Sequence, residues 1–402
     1  MTREDLKIPQ SILISCGDES SSSGDEAILA STLKLIKKKY PDSKVTVFAN
    51  NPELIKSIYS VNTIPKGESF LSFGKSFFTI LRSIRNCDLL IWGGGQLIQD
   101  TSSQFYIPNH IWRFFIANLF KKKVIVFAIG ASHLKTNFSK FLVKSQLKKA
   151  KKISVRDKES AEVLLDLGLS EERINILYDP ALILRDYDRK LGLKLLKKIG
   201  VDLSKPVIGF APRRLFHRSH GLIPMKYKVN WNLIPDKAKV EFEHFKKEVA
   251  KCFNHVMSQF KAQILFIPMY KGPGQDDDRI CQDIISLTRK KENSFQLPKK
   301  LTVYEIQSII SNLDLVIGVR MHAIILSATC GVPLIGINYA PKGRSFIKMI
   351  GMEEFAINAE EFSADWLEGR IKRCLDNSDS IKKELIHNLK GIITTRDLFN
   401  FV

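Results

Sequence analysis

An arginine and a histidine lie two positions apart in an otherwise apolar stretch, and their types make this pair the first candidate for chemistry. The stretch is VIGVRMHAIILSATCGVPLIG (316–336), and the pair is Arg320 and His322. The pattern predicts a buried strand that ends at Gly318 and a helix over 321–329, so both side chains fall on a strand-to-helix junction. The free N–H groups of a helix N-terminus and a guanidinium together favour a phosphate or carboxylate ligand, and an imidazole beside them can pass it a proton.

The alternative for this pair is structural. Arg320 would then form an ion pair with a buried carboxylate, and His322 would cap a backbone group. Side chains two positions apart diverge on a regular helix, so joint action of the two requires an irregular first turn.

A run of three glycines is the second candidate for ligand binding. LLIWGGGQLIQD (89–100) places Gly93, Gly94 and Gly95 directly after a predicted strand. Glycines let a ligand approach the backbone, and their N–H groups can hold an anion or a sugar oxygen, although a glycine run also serves a tight turn. Asp100, at the end of the segment, is a candidate for binding a hydroxyl group or for acting as a base.

A loop of small residues follows the first predicted strand, in CGDESSSSGDEAIL (16–29). Ser22 and Ser23 are candidates for lining a binding cleft, and Glu26 is a candidate for accepting a proton from a hydroxyl group. Asp25 is expected to cap the helix that begins there, because acidic side chains suit the positive end of a helix dipole.

Further charged residues follow other predicted strands. Arg213 and Arg214 end APRR, after the first strand of the second half. In SVRD, Asp157 is a predicted N-cap, and Arg156 is either its ion-pair partner or a cation of the cleft. The acidic cluster GQDDDR (274–279) precedes a helix, which favours capping over a metal site, and no histidine or further carboxylate spacing supports a metal.

The alternation of short apolar runs with helical patterns predicts the scaffold for these residues. It indicates parallel sheets covered by helices on both faces. We predict an α/β fold of two doubly wound, Rossmann-like domains, 1–195 and 196–402, the second with additional C-terminal helices, and a cleft between them at the carboxyl ends of the strands. The boundary is placed near 190–204, within the polar segment 185–205, and 215–235 is interpreted as a long loop near the cleft, with a lid as the alternative. Strands are predicted at 11–17, 44–50, 88–95, 123–130, 152–157, 174–179, 206–214, 262–269, 313–319 and 333–339.

The charge balance is strongly basic, with 62 lysine and arginine residues against 42 acidic ones and a net charge of +20. This favours an anionic partner, such as a phosphorylated small molecule, a nucleic acid or an anionic membrane face, although lysines at the ends of elements are also typical of a solvated surface. The segment 105–123, with aromatic residues and a basic end, is interpreted as a core-facing helix. A helix that docks on an anionic membrane is the alternative.

The remaining composition is that of a globular protein. Six scattered cysteines without metal spacing are typical of reduced, mostly buried thiols. Neither an apolar run long enough to cross a membrane nor a secretory signal is found, so we expect a cytoplasmic protein, with peripheral contact with the inner face of the cytoplasmic membrane left open.

Five segments together resemble the polysaccharide pyruvyl transferase family. They are SGDEAIL (23–29), WGGGQLIQD (92–100), SVRDKESAEVL (154–164), DPALIL (179–184) and GVRMHAIILSATCGVPLIGINYAPK (318–342). The resemblance implies a GT-B-like fold and transfer of pyruvate from phosphoenolpyruvate to two hydroxyl groups of a sugar, which forms a cyclic ketal and releases phosphate. The sugar would belong to a bacterial-type cell-surface polysaccharide or its precursor, which some pathways of the family carry on a lipid.

The resemblance also implies roles for the basic residues. The arginine and histidine of the family's R-x-H block are associated with the donor, which here would be Arg320 and His322, on the second domain. As a hypothesis, His322 is the general acid that protonates the methylene carbon, and Arg320 with Arg213 or Arg214 neutralises the departing phosphate. Lys342 is a further candidate for substrate binding.

The acceptor would lie on the first domain, where Asp100 or Glu26 would accept the hydroxyl proton. The chain departs from the family's pattern twice: Ser22 stands where asparagine is frequent, and Tyr-Ala-Pro-Lys at 339–342 stands where Tyr-Asp-Pro-Lys is frequent. The missing carboxylate concerns the acceptor or a proton transfer and leaves the donor site unaffected. The chemistry requires neither a metal nor a cofactor beyond phosphoenolpyruvate.

Two other functions fit parts of the sequence. A nucleotide-sugar glycosyltransferase of the same architecture would bind a nucleoside diphosphate, and it fits the basic charge equally well. A basic protein that binds nucleic acid or membrane surfaces without catalysis would not need an arginine inside an apolar block. Arg320 therefore disfavours that function, and no nucleic-acid partner is expected.

Overall fold

A computed structural model shows two parallel sheets, each flanked by helices. It confirms the predicted α/β class with two doubly wound, Rossmann-like units. The structure describes residues 8–17, 20–67, 75–100, 103, 105–215, 231, 233–272, 276–339, 341–392 and 395–402. Most of the predicted loop 215–235 therefore lies outside the described residues.

The first sheet has seven parallel strands in the order β3-β2-β1-β4-β5-β6-β7. Its inner strands are buried along nearly their whole length, which is expected where helices cover both faces of a parallel sheet. The strands are β1 Ser11–Ser15, β2 Lys44–Ala49, β3 Asn62–Pro65, β4 Leu89–Gly93, β5 Lys123–Ile129, β6 Lys152–Val155 and β7 Ile174–Ile176. The helices between them are α1 Ser23–Lys39, α2 Pro52–Tyr59, α3 Lys75–Asn86, α4 Tyr106–Leu119, α5 Asn137–Leu147 and α6 Lys158–Asp166.

The second sheet has six parallel strands in the order β10-β9-β8-β11-β12-β13, which repeats the order of the first six strands of the first sheet. Its strands are β8 Val207–Ala211, β9 Gln263–Phe266, β10 Ser294–Gln296, β11 Leu315–Gly318, β12 Leu334–Asn338 and β13 Ala356–Asn358. The helices of this half are α7 Arg189–Ile199, α8 Asp236–Gln259, α9 Asp277–Leu287, α10 Val303–Ile310, α11 Met321–Thr329, α12 Pro341–Met349, α13 Ala364–Asp376, α14 Ser378–Ile392 and α15 Thr395–Phe401.

Each sheet reverses its strand order once, and the carboxyl ends at such a reversal form a crevice that binds ligands in open α/β sheets. In the first sheet the reversal lies between β1 and β4, and in the second between β8 and β11. We call these places the first and the second switch point. The serine loop and the glycine run follow β1 and β4, whereas the arginine pair and the Arg320–His322 pair follow β8 and β11. All four sequence motifs therefore lie at the two switch points.

All ten predicted strands are present, but three others were not predicted. The missed strands β3, β10 and β13 have three or four residues and are only partly buried. Strands this short lack a readable alternation, so their pairing depends on the neighbouring strand.

The interpretation of 185–205 as a polar boundary was incomplete, because the segment contains helix α7. Gly192 of α7 lies against the backbone of Ser308 in α10, so α7 packs on the second half of the chain. The predicted division between the two domains, 195/196, falls inside α7. The domain limits themselves stay a prediction.

Two apolar cores hold the layers together. The smaller core lies between one face of the first sheet and α3–α6. The larger core covers the other face and continues through α1 and the 3-10 turn Pro180–Ile183 into the second half of the chain. The chain then returns to the first sheet at its end, where Tyr40 Oη donates a hydrogen bond of 3.1 Å to the carbonyl of Val402.

All six cysteines are free thiols, and only Cys330 is more than slightly exposed. No helix in the described parts of the chain is long and apolar enough to cross a membrane.

Candidate functional site

The two switch points are joined by the loops that follow β1 and β9. The N–H of Ser23 donates to the carbonyl of Met269 at 2.9 Å, and the N–H of Lys271 donates to the carbonyl of Ser21 at 2.7 Å. Ser22 and Tyr270 form an antiparallel bridge between these two bonds. The predicted cleft is therefore closed at this point by main-chain hydrogen bonds, and Ser22 and Ser23 are part of that closure.

His322 lies directly against the first turn of α1. A Cβ atom on Gly24 would overlap Nδ1 and Cγ of the imidazole, so this position admits only glycine while the ring stays in place. The histidine comes from the second switch point and Gly24 from the first. The imidazole is therefore packed between the two halves of the molecule.

The other ring nitrogen of His322 faces a buried chain of charges. Nε2 lies 3.4 Å from Oδ2 of Asp179, and the same oxygen accepts a hydrogen bond of 2.9 Å from Nη1 of Arg156. Burial alone would raise the pKa of Asp179, but the charges of His322 and Arg156 outweigh it and hold the pKa of this carboxyl well below its usual range. An ionised Asp179 thus orients the imidazole and stabilises a positive charge on it. Arg156 is mainly the partner of Asp179, since Asp157 is farther away, at 3.6 Å.

Arg320 forms a two-pronged ion pair with Asp277 of α9. Nε donates to Oδ2 at 2.9 Å and Nη2 donates to Oδ1 at 2.5 Å, and both side chains are buried. This is the structural alternative that the sequence left open for Arg320. Burial raises the pKa of Asp277, while Arg320 and Arg213 act in the opposite direction. Asp277 belongs to the GQDDDR cluster, so its side chain serves an ion pair and the capping interpretation was wrong for this residue.

Three arginines at the second switch point lie over aromatic rings. The guanidinium of Arg213 lies 4.1 Å from the ring centre of Tyr339 and also donates to its hydroxyl oxygen at 2.6 Å. Arg214 lies over Phe242 at 5.8 Å. Arg320 lies over Tyr270 at 5.3 Å. Stacking of this kind holds a guanidinium in one orientation.

Two buried nitrogen atoms at the same edge have no hydrogen-bond partner in the described part of the chain. Nε of Arg214 and Nδ2 of Asn338 have no partner among the described residues, and Nε2 of His322 makes only the 3.4 Å ion-pair contact with Asp179. Arg214, His322 and Asn338 follow or end β8, β11 and β12, three neighbouring strands of the second sheet. Leaving a buried polar group unpaired costs about 1–3 kcal/mol, so a site with two such nitrogens favours a ligand rich in acceptor oxygens.

The glycine run forms a tight turn that is tied to the first sheet. Gly94 and Gly95 have φ angles of 75° and 80°, which favour glycine. The N–H of Gly94 donates to the carbonyl of Phe127, next to Gly93 in the sheet, and is therefore not available to a ligand. The carboxylate of Asp25 lies between this turn and Gly17, since a Cβ on Gly95 would come within 2.8 Å of it. The N-cap of α1 is Ser22, so the capping role expected for Asp25 was wrong.

Two acidic candidates of the first half bind backbone groups. The carboxylate of Asp100 accepts from the N–H groups of Lys135 and Thr136 at 3.0–3.1 Å. Glu26 accepts from the N–H of Val303 at 3.1 Å and from the hydroxyl of Tyr59 at 3.2 Å. Both carboxylates are buried, and Glu26 connects α1 with the first turn of α10.

Lys66 was not recognised from the sequence, although it helps to build the first switch point. Its ammonium group is buried and donates to the carbonyls of Cys16, at 2.7 Å, and Gly17. A lone lysine after a short edge strand carries no sequence signal for such a role. The side chain of Lys342 lies outside the described residues. No three His, Cys, Asp or Glu side chains in the described ranges could hold a metal ion together.

The family model described as polysaccharide pyruvyl transferase matches residues 23–341. The matched range contains both switch points. The amylovoran biosynthesis protein AmsJ of Erwinia amylovora is 22% identical over 111 residues, which are 28% of this chain and 27% of AmsJ. That match spans about a quarter of the length of either protein.

Solved structures share the fold over nearly the whole chain. HepE of Anabaena, in complex with UDP-glucose, has a TM-score of 0.60 at 11% identity and covers 98% of this chain and 97% of its own. The UDP-GlcNAc 2-epimerase of Methanocaldococcus jannaschii has a TM-score of 0.58 at 10% identity, with 91% and 92% covered. A glycosyltransferase of Rickettsia africae has a TM-score of 0.59 at 14% identity, with 97% and 96% covered. At these identities the likeness concerns the fold alone, and it confirms the predicted GT-B-like arrangement.

Proposed function

Because the chain belongs to the polysaccharide pyruvyl transferase family, we propose that it transfers pyruvate from phosphoenolpyruvate to a saccharide and forms a cyclic ketal. Membership of the family and the similarity to AmsJ support the coarser statement, that it is a polysaccharide-modifying transferase. The donor, the ketal and the saccharide are our proposal.

The observation that carries the proposal is the set of unpartnered nitrogens at the second switch point. Nε of Arg214 and Nδ2 of Asn338 lack partners among the residues that the structure describes. Phosphoenolpyruvate offers a phosphate and a carboxylate, which are acceptor-only groups at neutral pH. A ligand of this composition satisfies such donors without adding donors of its own.

The charge of the second switch point supports the same donor. Asp277 neutralises only one positive charge. Arg213 and Arg320 both interact electrostatically with its carboxylate, and Arg214 adds a third guanidinium beyond the end of β8. The N-terminus of α11, where Arg320 is the N-cap residue, adds the positive end of a helix dipole. The site therefore retains a positive potential for a trianionic donor.

The proposed reaction starts with proton transfer from His322 to the methylene carbon of phosphoenolpyruvate, which leaves a cationic centre at the adjacent carbon. A sugar hydroxyl attacks that carbon and loses its proton. The carbon–oxygen bond to phosphate then breaks, phosphate keeps the electron pair, and a second hydroxyl attacks and also loses its proton. Arg213 and Arg214 stabilise the departing phosphate, and Asp179 stabilises the charged imidazole.

The acceptor side of the proposal rests on the first switch point. Glu26 and Asp100 bind backbone N–H groups, which disfavours them as bases in the closed arrangement of the two halves. The serine loop and the glycine turn face the second half across the bridge at Ser22 and Tyr270. We propose that the saccharide enters where this bridge opens, and that it belongs to a polysaccharide precursor, in free or lipid-linked form.

Thermal unfolding in the presence of donors tests the proposal. Phosphoenolpyruvate at about 100 times its dissociation constant should add about 2.7 kcal/mol to the free energy of unfolding, and UDP-sugars at the same concentration should add nothing. Arg213→Ala should abolish the effect of phosphoenolpyruvate. Arg320→Ala is a poor choice here, because it leaves Asp277 buried without its partner and lowers stability directly.

Arg289→Ala is the matched control, since Arg289 is exposed and lies beyond α9 in the same half of the chain. It should leave the stabilisation by phosphoenolpyruvate unchanged. Stabilisation by a UDP-sugar and none by phosphoenolpyruvate would replace the proposal with a nucleotide-sugar glycosyltransferase.

A further inference from the structure

The exposed phenylalanines of the described chain all lie in one region. They are Phe78, Phe105, Phe115, Phe138 and Phe141, and they belong to α3, α4 and α5 or to the residue before α4. Phe78, Phe138 and Phe141 expose 75%, 61% and 68% of their surface. The exposed apolar residues described in the second half include no phenylalanine; they are Leu193, Trp231, Leu233, Val240, Leu287, Met349 and Ile386. Large apolar side chains concentrated in this way usually mark an interaction surface.

The three helices are neighbours, so these side chains share one face. Phe77 of α3 stacks on Trp112 of α4, with ring centres 6.1 Å apart. Asn118 of α4 donates to the side chain of Gln146 of α5 at 2.8 Å. The buried faces of the three helices pack against the first sheet. We call the outward face, with Phe78, Phe115, Leu119, Phe138 and Phe141, the aromatic face.

The segment of the chain that contains α4 and α5 has charges of one sign. No acidic residue occurs between Asp100 and Asp157. The same interval contains the basic residues Arg113, Lys121, Lys122, Lys123, Lys135, Lys140, Lys144, Lys148, Lys149, Lys151, Lys152 and Arg156. Lys140 and Lys148 are exposed on α5 together with Phe138 and Phe141. A surface that pairs exposed aromatic rings with lysines and lacks acids is complementary to an anionic lipid bilayer.

We propose that the aromatic face docks on an anionic membrane surface, with the phenylalanine rings in the interfacial layer and the lysines at the lipid headgroups. The segment 105–123 was interpreted from the sequence as a core-facing helix. One face of α4 does pack in the core, and the opposite face carries the exposed Phe115 and Leu119. The fully aliphatic Leu119 favours a bilayer over a nucleic acid, whose bases stack on aromatic rings and arginine planes and not on aliphatic side chains. The proposal is independent of the donor chemistry and requires no substrate.

Vesicle flotation of the full chain tests the proposal. Vesicles of phosphatidylglycerol and phosphatidylcholine in equal parts should carry the protein to the top of a density gradient, and pure phosphatidylcholine vesicles should not. Raising the salt concentration should weaken the binding, because exposed charges are screened. Phe138→Ser with Phe141→Ser should lower the affinity for the anionic vesicles by about tenfold or more, since two inserted rings are lost.

Two matched controls separate the effect of the aromatic face from the effect of the protein's net positive charge. Val240→Ser removes an apolar side chain that is 67% exposed on α8 and should leave binding unchanged. Lys140→Glu with Lys148→Glu should lower binding more than Lys247→Glu with Lys251→Glu, an exposed lysine pair on α8. Unchanged circular dichroism and an unchanged melting temperature confirm that each variant is folded.

Three outcomes would overturn the membrane proposal. The first is absence of flotation with anionic vesicles. The second is flotation that the phenylalanine variant does not weaken. The third is binding to single-stranded nucleic acid or to an acidic protein that is tighter than binding to vesicles and depends on the same residues. None of these outcomes affects the thermal test of the donor.

Discussion

The two switch points have the same topology and opposite construction. At the first, charged side chains bind the backbone: Lys66 holds the carbonyls after β1, and Asp100 holds N–H groups beyond β5. At the second, arginines lie on aromatic rings, and buried nitrogens remain without partners in the described chain. The first is therefore a fixed rim of backbone and small side chains, whereas the second is a cationic site with unused donors.

This difference shows that strand order determines where a site lies and that side chains determine what it binds. A rim with few free charges suits a neutral saccharide, and a cationic site suits phosphoenolpyruvate. His322 connects the two switch points, because it belongs to the second and packs against Gly24 of the first. The predictions that follow test this division of roles.

The largest expected effect is on turnover. His322→Gln should lower kcat by about 10²–10⁴, the usual contribution of a general acid, while stabilisation by phosphoenolpyruvate persists. His255→Gln is the control, since His255 pairs with Glu368 on the far side of the second half and should not alter kcat. Near-normal turnover of His322→Gln with intact donor binding would show that the acid lies elsewhere.

The next effect is on stability. Asp277→Ala leaves Arg320 buried without its partner and should lower the free energy of unfolding by about 3–5 kcal/mol, measured by urea denaturation. Asp236→Ala removes an exposed carboxylate of α8 that pairs with Lys239 at 3.0 Å, and should cost about 1 kcal/mol or less. Equal losses in the two variants would mean that the Arg320 pair is not the support of the second switch point.

A single methyl group should disturb the contact between the switch points. Gly24→Ala places a Cβ atom on the imidazole of His322, and a displacement of about 1 Å at such a site costs about 10² in turnover. Gly369→Ala on α13 meets no atom within 4 Å and should retain full activity. If both alanine variants are equally active, the ring is not held by Gly24 during the reaction.

The smallest effect concerns the pH dependence of stability through Glu26. Burial raises the pKa of Glu26 above 4.5, although the hydrogen bond from Val303 acts in the opposite direction. The contribution of Glu26 to the free energy of unfolding is therefore complete below the pKa of the unfolded state and is lost as pH rises through the pKa of the folded state. Gln at this position keeps the acceptor oxygen and cannot ionise. Glu26→Gln should therefore unfold at a higher temperature than the wild type at about pH 8, and the difference should shrink at about pH 4.

The half-exposed Glu241 of α8 provides the control for this pH series, and Glu241→Gln should show no such convergence. A constant destabilisation of Glu26→Gln at both pH values would mean that the ionised carboxylate is the form that joins α1 to α10.

The strands of the core were predictable because they are long enough to show a period. α11 was predicted at its observed ends and β11 at its observed carboxyl end, Gly318, since an apolar run, a helix pattern and Gly331 define them locally. The short edge strands β3, β10 and β13 were not predictable, because three or four half-exposed residues contain no periodic signal and acquire their shape from the adjacent strand.

The sequence by itself determined the α/β class and the placement of all four motifs at the carboxyl ends of strands, because hydrophobic periodicity and glycine positions are local properties. Only the tertiary structure decided the partners: Asp277 for Arg320, Asp179 and Gly24 for His322, and Val303 for Glu26. Each of these contacts joins residues that are far apart in the chain. Burial makes such pairs strong and selective, and burial is a property of the folded molecule that no spacing along the sequence contains.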